Sequence, residues 1–424
     1  MTWRFILAGA WSFVLLLACL SLPKTIWIKS NRFNNSWIWI LFGALIARLV
    51  PLFLLPNGAI FDIESYQLVA GSVLQGQDVY TNPGLIGRHP YLPFQMYWMA
   101  LSYKLANILH LPYPKIVKLA PIVADILIAF VILLILRRNF SPQVAFYGAA
   151  WYALNPIPIL VSAYHGQFDA VPALFLLLAF ASVDLSSRKG GLWLGLAILD
   201  KSWPVLAFPS LLQGVKTWRN KFIFVLVMGS VLLLSVVFYA LVFSANLLNI
   251  FKWALGYNQG IGSWGYPYLV RLLQIFHPQT RAIFAFLINY GRYLTLAALA
   301  FAWIWRGRKE SPSASFLTIL VTFFAVTHAF AIQYLMWLVP FAILNQQYKW
   351  LSWYTLAAFF YMFLAYFMLI LIVSVTRWMP LPQADWFIIM PAGLPSWTVV
   401  FVWMIRRLFG VQTSPHSDRI LAFN

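Results

Sequence analysis

The sequence predicts an all-α, polytopic integral membrane protein, and composition, recurring apolar runs and the placement of the bases all point to it. Of 424 residues, 62% are hydrophobic and 9% charged, too little polar surface to clothe a water-soluble body of this size. Apolar runs of bilayer-crossing length recur along the chain, and their continuity excludes the alternating pattern of a membrane barrel. The formal charge of +19 comes from bases in short loops, where it orients the chain in a bilayer and does not mark a nucleic-acid partner.

In chain order, spans are expected at residues 5–22, 36–55, 116–136, 142–162, 168–183, 222–243, 283–305, 314–327, 331–344, 351–373 and 386–405, about eleven in all. The first is kept as a membrane helix because no clear small-residue cleavage site follows it and many more spans do. Segment 190–213 is interrupted at its centre by Lys201 and Pro204. As a re-entrant hairpin it leaves every basic loop on one side; spanning is the other option. The loops concerned carry Lys24, Lys29 and Arg32; Arg137 and Arg138; Arg188 and Lys189; Lys216, Arg219 and Lys221; Arg306, Arg308 and Lys309; Lys349; and Arg406 and Arg407. The positive-inside rule makes that side cytoplasmic, with the N-terminus outside, the C-terminus inside and Arg4 a mild exception. The single cysteine, Cys19, rules out an internal disulfide.

Two long loops, 56–115 and 244–280, then face the extracytoplasmic side. The first has amphipathic stretches at 66–73 and 95–109 that suit short helices lying at the membrane interface. The second sets Gly256, Gly260, Gly262 and Gly265 among Tyr257, Trp264, Tyr266 and Tyr268. No linker, soluble domain or internal repeat is evident, so residues 1–424 are expected to form a single membrane domain.

Only 10 residues are acidic, so each can be placed. Asp62, Glu64, Asp78 and Asp169 fall on the outer side. A carboxylate there can take a proton from an incoming hydroxyl while bases such as Arg88 and His89 hold an anionic leaving group, the division of labour in glycosyl transfer from a phosphate. The competing structural reading is that Asp62 and Glu64 only favour the start of the helix that follows them.

The stretch Phe61-Asp62-Ile63-Glu64-Ser65-Tyr66, then Gly76-Gln77-Asp78-Val79-Tyr80, then Arg88-His89-Pro90-Tyr91-Leu92-Pro93 resembles the first outer loop of GT-C superfamily membrane glycosyltransferases. It is most similar to the mannosyltransferases that use a polyprenyl-phosphate sugar. Asn155-Pro156, His165-Gly166-Gln167-Phe168-Asp169-Ala170 and Lys201-Ser202-Trp203-Pro204 resemble the bacterial branch, and Gln333-Tyr334-Leu335-Met336-Trp337 a late outer turn. The likeness covers residues 48–340; Glu64 departs from it where the second acid is often aspartate, and the chain carries what looks like an extra first helix.

The resemblance implies an inverting hexosyltransferase, a mannosyltransferase by its nearest likeness, in a bacterial plasma membrane. The donor is then a polyprenyl-phosphate hexose and the acceptor a glycan or lipid hydroxyl. Asp62 is the implied base, and Glu64 positions acceptor, donor or metal. Arg88, His89, His165, Gln167, Asp169 and Lys201 are the candidate donor and phosphate contacts. Tyr66, Tyr91, Trp264, His328 and Gln333 are the candidate sugar and acceptor contacts. His165 alternatively hydrogen-bonds a carbonyl in a tight turn, and Lys201 alternatively pairs with Asp200 or Asp125 to lock helices. The spacing of His, Asp and Glu forms no structural metal site, yet leaves open a divalent cation, Mg or Mn, between Asp62 or Glu64 and phosphate. The rival classes are a transporter or flippase of lipid-linked sugars, which favours midplane charges and internal symmetry, and a glycan polymerase or ligase.

Overall fold

The computed structural model describes residues 2–22, 36–256, 260–368 and 385–410. The bases Lys24, Lys29 and Arg32, residues Tyr257 and Asp418, and the end of the expected span 351–373 lie outside them. Among the described residues the chain is helical, with no strand and an isolated bridge at Ile261 and Ala329. Six helices are long and apolar enough to cross a membrane: Trp3–Leu20, Trp37–Leu54, Tyr113–Asn139, Trp218–Phe243, Pro278–Lys309 and Tyr348–Phe367. The count becomes 7 if the pair Pro142–Leu154 and Pro156–His165, broken at Asn155, is one span. Other expected spans are shorter: Ala170–Ser182 has 13 residues and Pro312–Val326 has 15, against the roughly 20 that cover the hydrocarbon core.

Local signals set the breaks. Ser141 accepts a hydrogen bond from the Val144 amide and Pro142 takes the first helical position, so a new helix starts directly after Arg137 and Arg138 close the previous one. Ser186 and Thr217 cap Ser187–Asp200 and Trp218–Phe243 in the same way. The interruption expected at Lys201 is present: its backbone is extended (φ −146°, ψ 149°), ending the helix at Asp200 before a short turn that opens at Trp203-Pro204.

The chain divides into two compact units whose segments alternate. One comprises Met1–Trp11, Leu41–Val131 and Pro158–Asn258. In it, Ser187–Asp200 packs between Ala170–Ser182 and Trp218–Phe243. The approach is close because a Cβ on Gly191 would lie 2.4 Å from the Phe224 carbonyl oxygen, so only glycine fits. The first long loop forms helices Ile60–Leu74 and Gln95–Leu109, which pack on each other. They bury Ile63, Tyr66 and Val69 with Met96, Met99 and Phe168 in a shared apolar core, leaving Phe61, Leu68, Leu101 and Ile108 exposed. Asp78, grouped with the outer acids by sequence, ties this loop down: it accepts from the Tyr239 hydroxyl (2.9 Å), the Tyr80 amide and Thr81.

The second unit comprises Ser12–Ile40, Ile132–Ile157 and Gln259–Asn424. Pro312–Val326 packs against Arg281–Trp305 and Leu394–Phe409. Glu310 accepts from Arg306 and Arg407 and from the Thr318 hydroxyl. The Gly260 carbonyl accepts from the Phe330 amide, and the Gly262 amide donates to the His328 carbonyl.

In the first unit, Arg48 and Asp125 are fully buried on two of the span-length helices and pair at 2.7 Å; Ser162 donates to the same Asp125 oxygen at 2.6 Å. Removing one partner leaves a lone buried charge, at a cost of about 3–5 kcal/mol, whereas an apolar pair of similar volume is near neutral. Arg48→Met or Asp125→Leu alone is therefore expected to lower the unfolding midpoint in detergent strongly. The double variant should recover most of the loss, and additive losses would show that the pair is not what matters.

Candidate functional site

Asp62 lies in the first turn of Ile60–Leu74, where the helix dipole favours a carboxylate. It does not cap that helix: the N-cap is Ala59, with no side-chain cap, and the Asp62 carboxylate turns to His165, Oδ2 to Nε2 at 2.6 Å. The backbones are pinned together as well, since the Ala59 amide donates to the His165 carbonyl at 3.2 Å. Gly58 permits this at φ +66°; a Cβ there would lie 2.8 Å from both the His165 oxygen and Lys118 Cε.

His165 ends a wide helical turn, Leu160–His165, closed by Gly166 at φ +86°. Both the Gly166 and Gln167 amides return to the Val161 carbonyl, so His165 and Gln167 leave one tight turn on opposite sides of a glycine. Lys118, fully buried, backs the turn: it donates to the Leu55 carbonyl at 3.2 Å and lies where a Cβ on Gly166 would go.

From Gln167 the array continues. Its oxygen accepts from Lys201 Nζ at 2.9 Å, and its amide lies near enough to Asp62 to favour the ionised carboxylate. Lys201 also donates to Asp169 at 2.6 Å and sits 5.2 Å from the Tyr91 ring centroid. Neither alternative partner expected from sequence is used: Asp125 holds Arg48, and Asp200 accepts from Gln95 at 2.9 Å. The lysine that sequence aimed at phosphate is 4% exposed and spends its charge on Asp169.

Burial works against ionisation of Asp62, but the hydrogen bond and charge of His165, the hydrogen bond of Gln167 and the charge of Lys201 outweigh it. Its pKa falls below the usual carboxylate value. The side chain is nonetheless 29% exposed, against 7% for His165. An ionised, anchored and reachable carboxylate is equipped to receive a proton from a ligand hydroxyl.

The remaining expected residues divide. Arg88 donates to Ser65 at 3.1 Å and covers the Phe61 ring at 4.9 Å, within a helical turn of Asp62. His89 is buried between the Tyr80 and Tyr91 rings, and burial drives its pKa down to about 4, so it offers a phosphate a neutral imidazole and not a charge. Tyr66 is buried edge-on to Phe168. Glu64 is exposed and does not join Asp62, because side chains two apart on a helix point away from each other. In the second unit, Trp264 donates to the Phe324 carbonyl at 2.8 Å and stacks on Phe330 at 4.0 Å, which commits its indole to packing. There, Gln333 is half-buried and His328 packs its ring against Gly291.

At Asp62, His165 Nε2 takes one carboxylate oxygen; Glu64 is exposed and does not join it, and Asp169 is paired with Lys201. Among the described residues no three His, Cys, Asp or Glu side chains group together.

Sequence singled out Asp62 and His165 separately and set Asp62 beside Glu64. Their pairing was not visible because 103 residues separate them. Arg48, Asp125 and Lys118 carried the usable signal of charges in otherwise apolar runs, which must find partners. Compared with protein-family models, curated proteins and solved structures, the chain matches none.

Proposed function

We propose that this chain is an inverting membrane glycosyltransferase resembling the GT-C superfamily, which moves a hexose, mannose by its nearest likeness, from a polyprenyl phosphate to an acceptor hydroxyl. The observation that carries the reading is Asp62, held as a carboxylate by His165 and Gln167 yet 29% exposed. The acceptor O–H gives its proton to Asp62 as its oxygen bonds the anomeric carbon. The bond from that carbon to the phosphate oxygen breaks, and polyprenyl phosphate leaves with the electron pair. Arg88, a turn away, is the cation placed to meet the phosphate. No step runs through a metal.

One observation favours the transporter alternative: the buried Arg48–Asp125 pair on span-length helices, the kind of charge that transport pathways also carry. Purified protein in detergent, which has no compartments, separates the two. With radiolabelled polyprenyl-phosphate hexoses the enzyme forms a glycosylated product; a transporter forms none. Asp62→Asn is expected to reduce turnover by about 10²- to 10⁴-fold with donor binding retained. Efficient use of a nucleotide sugar, or Asp62→Asn activity within a few-fold of wild type, would overturn the reading.

The finer topology belongs to the same proposal. Counting the bent pair, the short apolar helices Ala170–Ser182, Pro312–Val326 and Ile332–Leu344, and the last helix Leu394–Phe409 as spans gives eleven, with the first long loop extracytoplasmic in a bacterial plasma membrane, the N-terminus outside and the C-terminus inside. In a Cys19→Ala background, Asn82→Cys should react with an impermeant maleimide in intact cells and Ser187→Cys should not. The opposite pattern would invert the orientation.

A further inference from the structure

We propose that His165 is the positioning residue for Asp62, its Nε2–H tying one carboxylate oxygen so that the other is left, correctly aimed, for the acceptor's proton. The inference rests on the glycosyl-transfer reading and reassigns a residue that sequence had placed on the donor phosphate.

Three observations carry it. At 2.6 Å between Nε2 and Oδ2 a proton must lie between the two atoms, and with Asp62 ionised that proton is on Nε2. Next, the histidine is the inner partner: at 7% exposure against 29%, it stands behind the carboxylate and a ligand meets Asp62 first. Finally, the contact is over-determined by backbone. The Ala59 amide on the His165 carbonyl, Gly58 and Gly166 at positive φ, and buried Lys118 behind them hold the ring and the first turn of Ile60–Leu74 as one piece. A carboxylate on a helix otherwise samples several rotamers, and fixing one with the reactive lone pair outward is the preorganisation that proton transfer benefits from.

In the transfer step the acceptor proton moves to the free oxygen of Asp62 as the new C–O bond forms and the phosphate departs. His165 keeps its proton throughout, and Asp62 later releases the acquired proton to water. The other groups around Asp62 are Lys201 and Asp169 beyond Gln167, Tyr66 on its own helix, Lys118 behind Gly166, and Arg88 over Phe61 and Ser65. Among these, His165 is the one bonded directly to the carboxylate by an ionisable ring.

The test compares His165→Gln, whose amide nitrogen can reach the place of Nε2, with His165→Asn, whose amide falls short of it. Both are polar, so a merely structural role tolerates them alike. With labelled polyprenyl-phosphate hexose, His165→Asn is expected to lose on the order of 10²-fold in kcat with KM within a few-fold. Its acid limb of kcat/KM should move to higher pH, because Asp62 loses a group that holds its pKa down. His165→Gln, which keeps the hydrogen bond but not the charge, should retain most of kcat, with an acid limb nearer to wild type than that of His165→Asn. Infrared titration of the Asp62 carboxyl band, assigned with Asp62→Asn, reads the same coupling without any turnover: the midpoint should rise in His165→Asn and less in His165→Gln. An unmoved midpoint in His165→Asn overturns the proposal. A moved midpoint without transfer activity upholds the pairing and instead defeats the glycosyl-transfer reading.

Discussion

In a chain this apolar, every charge withdrawn from water needs a partner, and that requirement organises the interior. Four of the scarce acids are ion-paired: Asp125 with Arg48, Asp169 with Lys201, Glu310 with Arg306 and Arg407, and Asp62 with His165; Asp200, buried at 1%, instead accepts a hydrogen bond from Gln95. Their exposures differ in a way that separates roles. Asp125 and Asp169 are at 0% and Glu310 at 10%, so their pairs are locks between segments. Asp62, at 29%, is paired and still reachable, and its partner is a histidine instead of a permanently charged arginine or lysine. Such a pair constrains the carboxylate without cancelling it.

The backbone supplies the precision. Extended Lys201 ends one helix and swings its ammonium into the array, while the glycine between His165 and Gln167 lets adjacent side chains reach opposite ends of the same hydrogen-bonded chain. The apolar core of Tyr66, Phe168, Met96 and Met99 beneath the first loop keeps the Asp62 helix from shifting. The placement of Asp62 therefore depends on contacts that look purely local, such as Gly58 against the His165 carbonyl.

Much of the architecture was legible because lipid imposes a long-period signal that survives in a single sequence. The helical class, the helix at Gln95–Leu109 and the break at Lys201 follow from apolar run length and from a charge beside a proline. Lengths were less legible: Asn155-Pro156 and the Gln333 turn sit inside apolar runs but shorten the helices around them. Around Asp62, residue types marked the stretches that carry the hydrogen-bonded array, yet which of them converge depended on direction. Glu64 beside Asp62 in sequence is on another face, His89 beside Arg88 is buried and neutral, and Trp264 is committed to Phe324 and Phe330. Sequence proximity says little about convergence on a helix, and the partner that matters to Asp62 comes from a distant turn.

The central claim is that Asp62 is the group that meets the acceptor. Its most direct test is a structure with an unreactive polyprenyl-phosphonate hexose and the acceptor bound, read for the distance from the Asp62 carboxylate to the acceptor oxygen. The account predicts about 2.6–3.2 Å to one carboxylate oxygen, the other still held by His165, and the phosphonate on the far side of the anomeric carbon. An acceptor hydroxyl seated against a different carboxylate, with Asp62 facing only solvent, would contradict it.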